Sequence, residues 1–288
     1  VLAFMNAILV TGATGNVGNE LVHALLARGA SVRALMRNPD GRAFPAAVVV
    51  ASADLEAPET FAPVLAGIRK LFLLGGFTTM SELLRRARDA GVEHVVLLTS
   101  RCVVGGNPDN AITRMWLDAE AAVRGSGVPW TILRPSGFHS NALRWLPQLR
   151  QGDVVRAPWP EVPIAAIDPA DIAAVAATVL TEPGHVHTAP TLSGPQPLTP
   201  GEQVATLARA LRRPIRYEPL SDHDARAQMQ ADTPAPVIDA FFRFFTDGEF
   251  DDSLVVDSVQ AITGHQPRTF EQWARDHTHA FTDGSRTD

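Results

Sequence analysis

The fold is decided by the stretch Asn6-Ala7-Ile8-Leu9-Val10-Thr11-Gly12-Ala13-Thr14-Gly15-Asn16-Val17-Gly18. An apolar run is followed by three glycines at three-residue spacing, and a helical pattern then continues to Arg28. Gly12 permits a tight turn, Gly15 lets the backbone approach a pyrophosphate, and Gly18 packs the helix against the strand. The free N–H groups and the positive dipole end of the helix would face that phosphate. The pattern of strand, turn and helix therefore predicts a dinucleotide site.

The residue that follows the second predicted strand, 31–36, distinguishes between the two nicotinamide dinucleotides. A site that prefers NAD usually carries Asp or Glu about 20 residues beyond the glycines. Arg37 stands there instead, with Arg33 nearby. A guanidinium can hold a 2′-phosphate through two charge-assisted hydrogen bonds, whereas a carboxylate would repel it. We therefore expect NADP(H) to be preferred over NAD(H); the alternative is that Arg37 is a solvated surface arginine.

The composition limits the class of protein. Of the 288 residues, 45% are apolar, which is enough to form a large core, and only 19% are charged. The net charge of −6 argues against a general nucleic-acid-binding surface. The single cysteine excludes a disulfide within the chain and is typical of a cytoplasmic protein, and no apolar run reaches membrane-spanning length. We expect a cytoplasmic protein without nucleic-acid or membrane partners, and its oligomeric state, monomer or homodimer, stays open.

Strands and helices alternate along the first half of the chain. Strands that are apolar throughout are buried on both faces, which indicates a parallel sheet between two layers of helices. The sequence therefore predicts an α/β protein with the doubly wound Rossmann fold. Beyond the two strands above, the predicted strands are 47–51, 70–75, 94–100 and 130–134, and the predicted helices are 58–66, 80–90 and 111–124.

The second half of the chain differs in composition, and prolines cluster after residue 150. A brief strand at 164–167 and an apolar helix at 170–181 are expected to return to the sheet. We predict a Rossmann domain from residues 1–150 together with 164–193, and a smaller, mainly helical substrate cap from 151–163 and 194–281. The predicted cap helices are 201–212, 222–229, 234–245 and 269–281, and residues 282–288 are expected to form a loose tail.

Ligands of such sheets lie outside the carboxyl ends of the strands. Together with the glycine loop and the position of Arg37, this rule gives a set of predicted cofactor-binding residues. They are Gly12, Thr14, Gly15, Asn16, Val17, Gly18, Arg37, Asp54, Leu55, Gly75, Gly76, Thr99, Ser100, Pro135, Ser136 and Phe138.

Six motifs spread over essentially the whole chain carry a family resemblance. They are Thr11-Gly12-Ala13-Thr14-Gly15-Asn16-Val17-Gly18, Arg37-Asn38-Pro39, Asp54-Leu55, Trp130-Thr131-Ile132-Leu133-Arg134-Pro135, Asp168-Pro169-Ala170-Asp171-Ile172-Ala173 and Gly264-His265-Gln266-Pro267-Arg268-Thr269-Phe270. Together they resemble the NmrA-like group of atypical short-chain dehydrogenases/reductases. The resemblance implies a Rossmann domain that binds NADP(H) or NAD(H), with a small C-terminal domain closing over a substrate cleft. Some members reduce quinones, carbonyls or related acceptors, and others bind the nucleotide without turnover and act as redox-sensing regulators.

The chain departs from the short-chain reductases in its catalytic inventory. Those enzymes normally use a Tyr four residues before a Lys, and the phenol donates the proton. This chain has one tyrosine, Tyr217 in the predicted cap, and one lysine, Lys70, before the fourth strand. The corresponding helix, around 113–120, has no hydroxyl donor except Thr113. A mechanism driven by that pair is therefore excluded.

Other catalytic and metal-binding arrangements are also absent from the sequence. There is no Gly-x-Ser-x-Gly elbow and no His-Glu-x-x-His motif. The pairs His185 and His187, and His277 and His279, lack companion ligands, so we predict no metal site. Cys102 fits a small buried hydrophobe better than a catalytic thiol.

The remaining polar residues near the expected nicotinamide supply the catalytic candidates. His139 is the candidate proton donor because imidazole titrates near neutral pH, and Ser100 and Thr113 are the accompanying hydroxyls. The alternative for His139 is a polar cleft residue or a packed histidine, and the proton could also come from another residue or from water. The predicted substrate-binding residues are Phe77, Arg101, Asn141, Trp145, Trp159, Phe241 and Phe245; the spacing of Phe241 and Phe245 fits ordinary core packing equally well.

These observations favour an NADPH-dependent reductase that transfers hydride to a small aromatic or conjugated carbonyl or quinone-like molecule. Quinones and activated enones tolerate the missing tyrosine better than simple ketones, since water or a nearby side chain can protonate them. The alternative function is a non-catalytic NADP(H)-binding redox sensor that acts through a protein partner.

Overall fold

The structure, a computed structural model, describes residues 6–38 and 44–282. Pro39 of the resemblance motif and the predicted tail beyond Thr282 lie outside the described residues.

A seven-stranded parallel sheet forms the centre of the protein, with the strand order β3-β2-β1-β4-β5-β6-β8. The sheet runs outward from β1 in both directions, as the doubly wound Rossmann fold requires, so the predicted fold is confirmed. The strands are β1 Ala7–Val10, β2 Val32–Met36, β3 Val49–Ser52, β4 Ile68–Leu74, β5 His94–Leu98, β6 Trp130–Pro135 and β8 Thr191–Leu192.

Each face of the sheet is covered by helices because successive side chains of a strand point to opposite faces. In β1, Ile8 and Val10 pack with α1 Asn16–Ala27 and α5 Pro169–Thr181. Ala7 and Leu9 pack on the other face, which is covered by α2 Met80–Asp89 and α3 Ala111–Arg124. This two-sided burial explains why the strands are mostly apolar.

The second half of the chain adds a mainly helical cap beside the sheet. A two-stranded parallel sheet pairs β7 Val154–Ala157 with β9 Arg216–Pro219. The helices around it are α4 Leu146–Gln151, α6 Pro200–Leu211, α7 Asp222–Met229, α8 Ala235–Phe245, α10 Phe270–Asp276 and α11 Thr278–Thr282. One apolar cluster joins α4, α6 and α10, and a smaller one joins α7 and α8.

Three predicted elements differ from the structure. The helix predicted at 58–66 is two short 3-10 helices, Pro58–Thr60 and Ala62–Leu65, because Pro63 lacks the N–H that a continuous helix needs. The strand predicted at 164–167 is reduced to isolated bridges at Ile164 and Ile167. The helix predicted at 269–281 is divided into α10 and α11.

The packing crosses the predicted domain boundaries at two places. Ala142 and Leu149, which precede residue 151, pack in the apolar cluster of the cap. Conversely, Val259 of α9 Ser258–Thr263, within the predicted cap range, packs against the main sheet with α5. The cap is thus connected to the sheet by more than one segment, which fixes the cleft between them.

Candidate cofactor and substrate site

The loop between β1 and α1 has the geometry of a phosphate cradle. Gly12 has a φ of +61°, and a Cβ at Gly18 would lie 2.1 Å from the Gly12 carbonyl oxygen. Both positions therefore need glycine, one for the turn and one for close packing. The first turn of α1 contains no acidic residue, so its positive end suits an anionic ligand. These residues fit a dinucleotide pyrophosphate.

The loop is tied to the segment that follows β6. The side-chain amide of Asn16 donates to the Ser140 hydroxyl at 3.0 Å. The exposed side chains of Thr14 and Asn16 lie at the same edge of the sheet, while Val17 is buried beneath them. The phosphate loop and the start of the substrate cleft are therefore held in a fixed relation.

Arg37 and the Asp54-Leu55 pair lie at the adjacent ends of β2 and β3. Arg37 is exposed, and its carbonyl oxygen accepts a hydrogen bond from the Ser52 hydroxyl at 3.0 Å. The Asp54 carboxylate accepts from the Glu56 N–H at 3.0 Å, which fixes the loop after β3. Their side-by-side position is the one expected for the adenosine half of a dinucleotide.

Arg33 does not belong to this group, contrary to its suggested place near the 2′-phosphate. Its guanidinium donates to the carbonyl oxygens of Val64 and Ala66 at 2.7 and 2.8 Å. Burial lowers the pKa of this half-buried side chain. Arg33 holds the loop before β4, and Arg37 remains the candidate for the phosphate.

The loop after β4 makes close backbone contacts at Gly75 and Gly76. The Gly75 N–H donates to the Leu98 carbonyl oxygen at 3.2 Å, and a Cβ at Gly75 would lie 2.9 Å from the Trp116 ring. Gly76 has a φ of +90° and lies beside Met115. Trp116 and Met115 therefore stand on α3 beside the expected path of the cofactor.

A cavity of about 500 Å³ opens at the carboxyl ends of β5 and β6 and is closed by the cap. Its walls are mostly apolar, with several aromatic rings. The lining residues are Thr99, Ser100, Cys102, Ile112, Met115, Trp116, Pro135, Ser136, Gly137, Phe138, Asn141, Arg144, Trp159, Ile164, Met229, Val237, Phe241, Phe244, Phe245, Phe250 and Asp252.

The cap contributes an aromatic wall to this cavity. Phe241 and Phe245 stack with ring centroids 6.3 Å apart, and Trp159 lies 4.8 Å from Phe245. The Trp159 indole N–H donates to the Thr246 hydroxyl at 3.0 Å. Phe242 instead is buried in the cap core. One side of α8 therefore faces the cavity with Phe241 and Phe245, and the other side packs into the cap core with Phe242.

Most of the residues predicted at the nicotinamide end do line the cavity, but His139 does not. The His139 ring is buried, 3% exposed, and packs edge-on against Phe270 with centroids 5.3 Å apart. Burial lowers its pKa to about 3, and Arg268 adds to the effect. The expectation that His139 titrates near neutral pH is wrong, and the packed-histidine alternative describes it.

Four other predicted residues also lie away from the cavity wall. Phe77 packs on the core beneath α2, and Trp145 packs on the cap core. Arg101 is buried and donates to the Leu254 carbonyl oxygen at 2.7 Å. Thr113 is fully buried behind Cys102. Each of these residues lies on, or follows, a strand or helix that the sequence predicted. The direction of its side chain depends on tertiary packing, which the sequence pattern does not contain.

Cys102 lines the cavity as a buried thiol. Burial raises its pKa, against the opposing effect of the Ser100 and Thr113 hydroxyls. A thiol that stays protonated is a poor nucleophile, which agrees with its interpretation as a small hydrophobe.

Tyr217 and Lys70 are both engaged elsewhere. The Tyr217 hydroxyl donates to the Ala157 carbonyl oxygen at 2.9 Å, across the small cap sheet. Lys70 lies within β4, rather than before it, and its Nζ donates to the Leu180 carbonyl oxygen at 2.5 Å. Neither side chain lines the cavity.

Asp252 is one of the cavity residues that the sequence did not reveal, together with Met115, Trp116 and Arg144. Its carboxyl group is 5% exposed, lines the cavity and accepts from the Gly137 N–H at 2.9 Å. Burial raises its pKa to about 6. Asp252 lies in a loop with no local motif, so only the tertiary structure brings it to the end of β6.

The described ranges, 6–38 and 44–282, contain no group of three His, Cys, Asp or Glu residues placed to hold a metal ion. Within the same ranges, every helix is too short or too polar to cross a membrane.

Comparison with known proteins identifies the family. Residues 12–183 match a family described as NAD(P)H-binding. The chain belongs to this NAD(P)H-binding family. Two relatives match over 95% of this chain and 99% of their own length. The (4-alkanoyl-5-oxo-2,5-dihydrofuran-3-yl)methyl phosphate reductase of Streptomyces griseus is 39% identical over 282 residues, and the NAD(P)H azoreductase of Xenophilus azovorans is 33% identical over 285 residues.

Solved structures of other proteins share the fold. The NADPH complex of the quinone oxidoreductase QOR2 of Escherichia coli matches with a TM-score of 0.75 at 23% identity, over 93% of this chain and 99% of that chain. The prediction of an NAD(P)H-dependent oxidoreductase is confirmed by the two relatives above.

Proposed function

We propose that the protein is an NADPH-dependent reductase of flat, conjugated small molecules, above all α,β-unsaturated carbonyl compounds. The observation that carries this proposal is the aromatic cavity at the carboxyl ends of β5 and β6, next to the expected nicotinamide position. When bound, NADPH supplies the hydride. The protein's part is to hold the acceptor between Trp116 and the cap wall and to exclude water.

The two relatives support this substrate class. The named substrate of the Streptomyces griseus reductase is an unsaturated lactone whose ring double bond is conjugated to carbonyl groups, and the other relative is named for azo compounds. Both are planar, electron-poor acceptors. An apolar cavity lined by rings is suited to this shape, because aromatic pairs gain stability from stacking beyond the area that they bury.

We further propose that the substrate carries an anionic group, which faces Arg144. Arg144 is exposed at the mouth of the cavity and is the only basic side chain among the described residues that line it. The substrate name of the Streptomyces griseus relative includes a phosphate ester. A conjugated ring inside the cavity and a phosphate outside it would match this distribution of charge.

Arg144→Ala is expected to raise KM for a phosphorylated butenolide by about two- to fivefold, as for an exposed ion pair, and to leave kcat nearly unchanged. The unphosphorylated alcohol should show no such change. Arg150→Ala is the matched control because Arg150 is exposed six residues further on and does not line the cavity. Steady-state kinetics with both substrates measure the effect; equal KM changes for the ester and the alcohol would contradict the role of Arg144.

The assignment as a reductase is tested by mixing the purified protein with NADPH and a panel of butenolides, enones, quinones and azo dyes. We expect NADPH to be consumed with at least one acceptor, and the loss of absorbance at the nicotinamide band measures this consumption. If the protein binds NADPH but oxidises it with none of them, and binds NADPH and NADP⁺ with very different affinities, the sensor function is favoured instead.

A further inference from the structure

The cavity contains a buried carboxyl group, Asp252, which neither the cofactor nor the apolar acceptor explains. One oxygen, Oδ2, accepts from the Gly137 N–H at 2.9 Å, and the Asp252 backbone is anchored by the Ala165 N–H at 2.7 Å. The other oxygen, Oδ1, is buried, accepts no hydrogen bond from the described residues, and lies 3.6 Å from Arg101 Nη1. A buried carboxylate oxygen that accepts no hydrogen bond is costly, so its presence beside the cavity calls for an explanation such as a catalytic role.

The surroundings of Asp252 allow the carboxyl group to exist in both protonation states. Burial raises the pKa of Asp252 to about 6, and the charge of Asp251 adds to the increase. The Gly137 N–H, the Ser136 hydroxyl and Arg101 each act to lower the pKa. Arg101 and the backbone N–H stabilise the carboxylate after a proton has left. The remaining titratable neighbour, the Cys102 thiol, stays protonated because its pKa is raised.

We propose that Asp252 is the proton donor of the reduction, an inference that rests on the proposed function. Hydride addition to the β-carbon of an unsaturated carbonyl compound moves the π electrons to the carbonyl oxygen and leaves an enolate. The O–H bond of Asp252 then breaks, and the proton is transferred to the enolate oxygen or to the α-carbon. The electron pair of the broken bond stays on the carboxylate. Water subsequently returns a proton to Asp252.

The other ionisable side chains around the cavity do not meet this requirement. Arg144 is exposed at the mouth, and the Cys102 thiol holds its proton too firmly. His139 and Tyr217 do not line the cavity. Asp252 therefore supplies the acid that the missing phenol would otherwise provide.

The pH dependence follows from the raised pKa. Asp252 carries its proton below about pH 6 and loses it as the pH rises. The kcat of the wild type on an enone should therefore be constant at low pH and fall about tenfold per pH unit well above pH 6, as for one essential acid.

Asp252→Asn, which keeps an oxygen for the Gly137 N–H, tests the proposal. We expect kcat on an enone at pH 6 to fall by about 10²–10⁴-fold, and the residual rate to lose the decline above pH 6. The affinity for NADPH should stay within about threefold of wild type. Asp251→Asn, the same change at the exposed neighbouring residue, should keep the wild-type kcat at low pH and the decline at higher pH, displaced to slightly lower pH because the Asp251 charge adds to the raised pKa of Asp252.

A cationic triarylmethane dye provides a second readout because a carbocation accepts hydride without a proton. Among acceptors that the wild type reduces, we expect Asp252→Asn to lose activity on the enone and to retain activity on such a cation. Retention of more than a third of kcat, or a wild-type pH profile in Asp252→Asn, would overturn the inference. Equal losses of enone reduction and NADPH affinity would also overturn it, by assigning Asp252 a structural role. A wild type that reduces no acceptor at all would instead refute the proposed function.

Discussion

Replacing Gly18 with alanine is expected to weaken NADPH binding by about ten- to a hundredfold and to lower the free energy of unfolding by about 1–3 kcal/mol. The added Cβ would lie 2.1 Å from the Gly12 carbonyl oxygen and 2.6 Å from its carbonyl carbon. Backbone atoms cannot rotate aside as a flexible side chain can, so either the loop or α1 must move. Such a shift takes the N–H groups of the helix away from the pyrophosphate, which costs at least one hydrogen bond to a charged group.

Titration calorimetry and thermal unfolding measure the two effects. Gly152→Ala is the matched control because a Cβ there meets no atom within 4 Å, and its extended backbone accepts any residue. The control should bind NADPH as the wild type does. Wild-type affinity in Gly18→Ala would show that the cradle does not hold the nucleotide.

Arg37→Asp is expected to weaken NADPH binding by about ten- to a hundredfold and to leave NADH binding equal or improved. Arg37 is exposed at the end of β2, where a 2′-phosphate is expected to lie. The guanidinium contributes charge-assisted hydrogen bonds to a phosphate, and the aspartate replaces them with repulsion. For the ribose of NADH the same aspartate can accept a hydrogen bond from the 2′-hydroxyl.

Separate titrations with NADPH and NADH at one ionic strength test this expectation, since salt screens exposed charges. Arg150→Asp makes the same change of charge at an exposed residue outside the site and should leave the ratio of the two affinities unaltered. Equal affinity of the wild type for both nucleotides would refute the preference for NADP(H).

The fold was predictable because it depends on local patterns. Fully apolar strands such as Ala7–Val10 require burial on both faces, and glycines at fixed spacing produce the turn before α1. One error in secondary structure occurred where a local rule opposed the pattern. Pro63 within the helix predicted at 58–66 is the example, since it removes a backbone donor.

The catalytic part of the site was less predictable. His139 follows β6 in sequence, as a cleft residue should, but its ring packs between cap and sheet. Asp252 is distant in sequence from every strand end that forms the cavity, yet its carboxyl group contacts the loop after β6. Strand ends predict where a site lies; they do not predict which loops of a cap come back to it.

The sequence by itself determined the Rossmann fold, the dinucleotide loop and the absence of a Tyr-Lys pair, because each depends on residue types at short spacing or on simple inventory. Only the tertiary structure decided which side chains face the cavity. Burial lowered the pKa of His139 to about 3 by favouring the neutral imidazole, and burial raised the pKa of Asp252 to about 6 although Arg101 opposes the increase. Both shifts arise from the solvent exclusion that folding creates between residues distant in the chain.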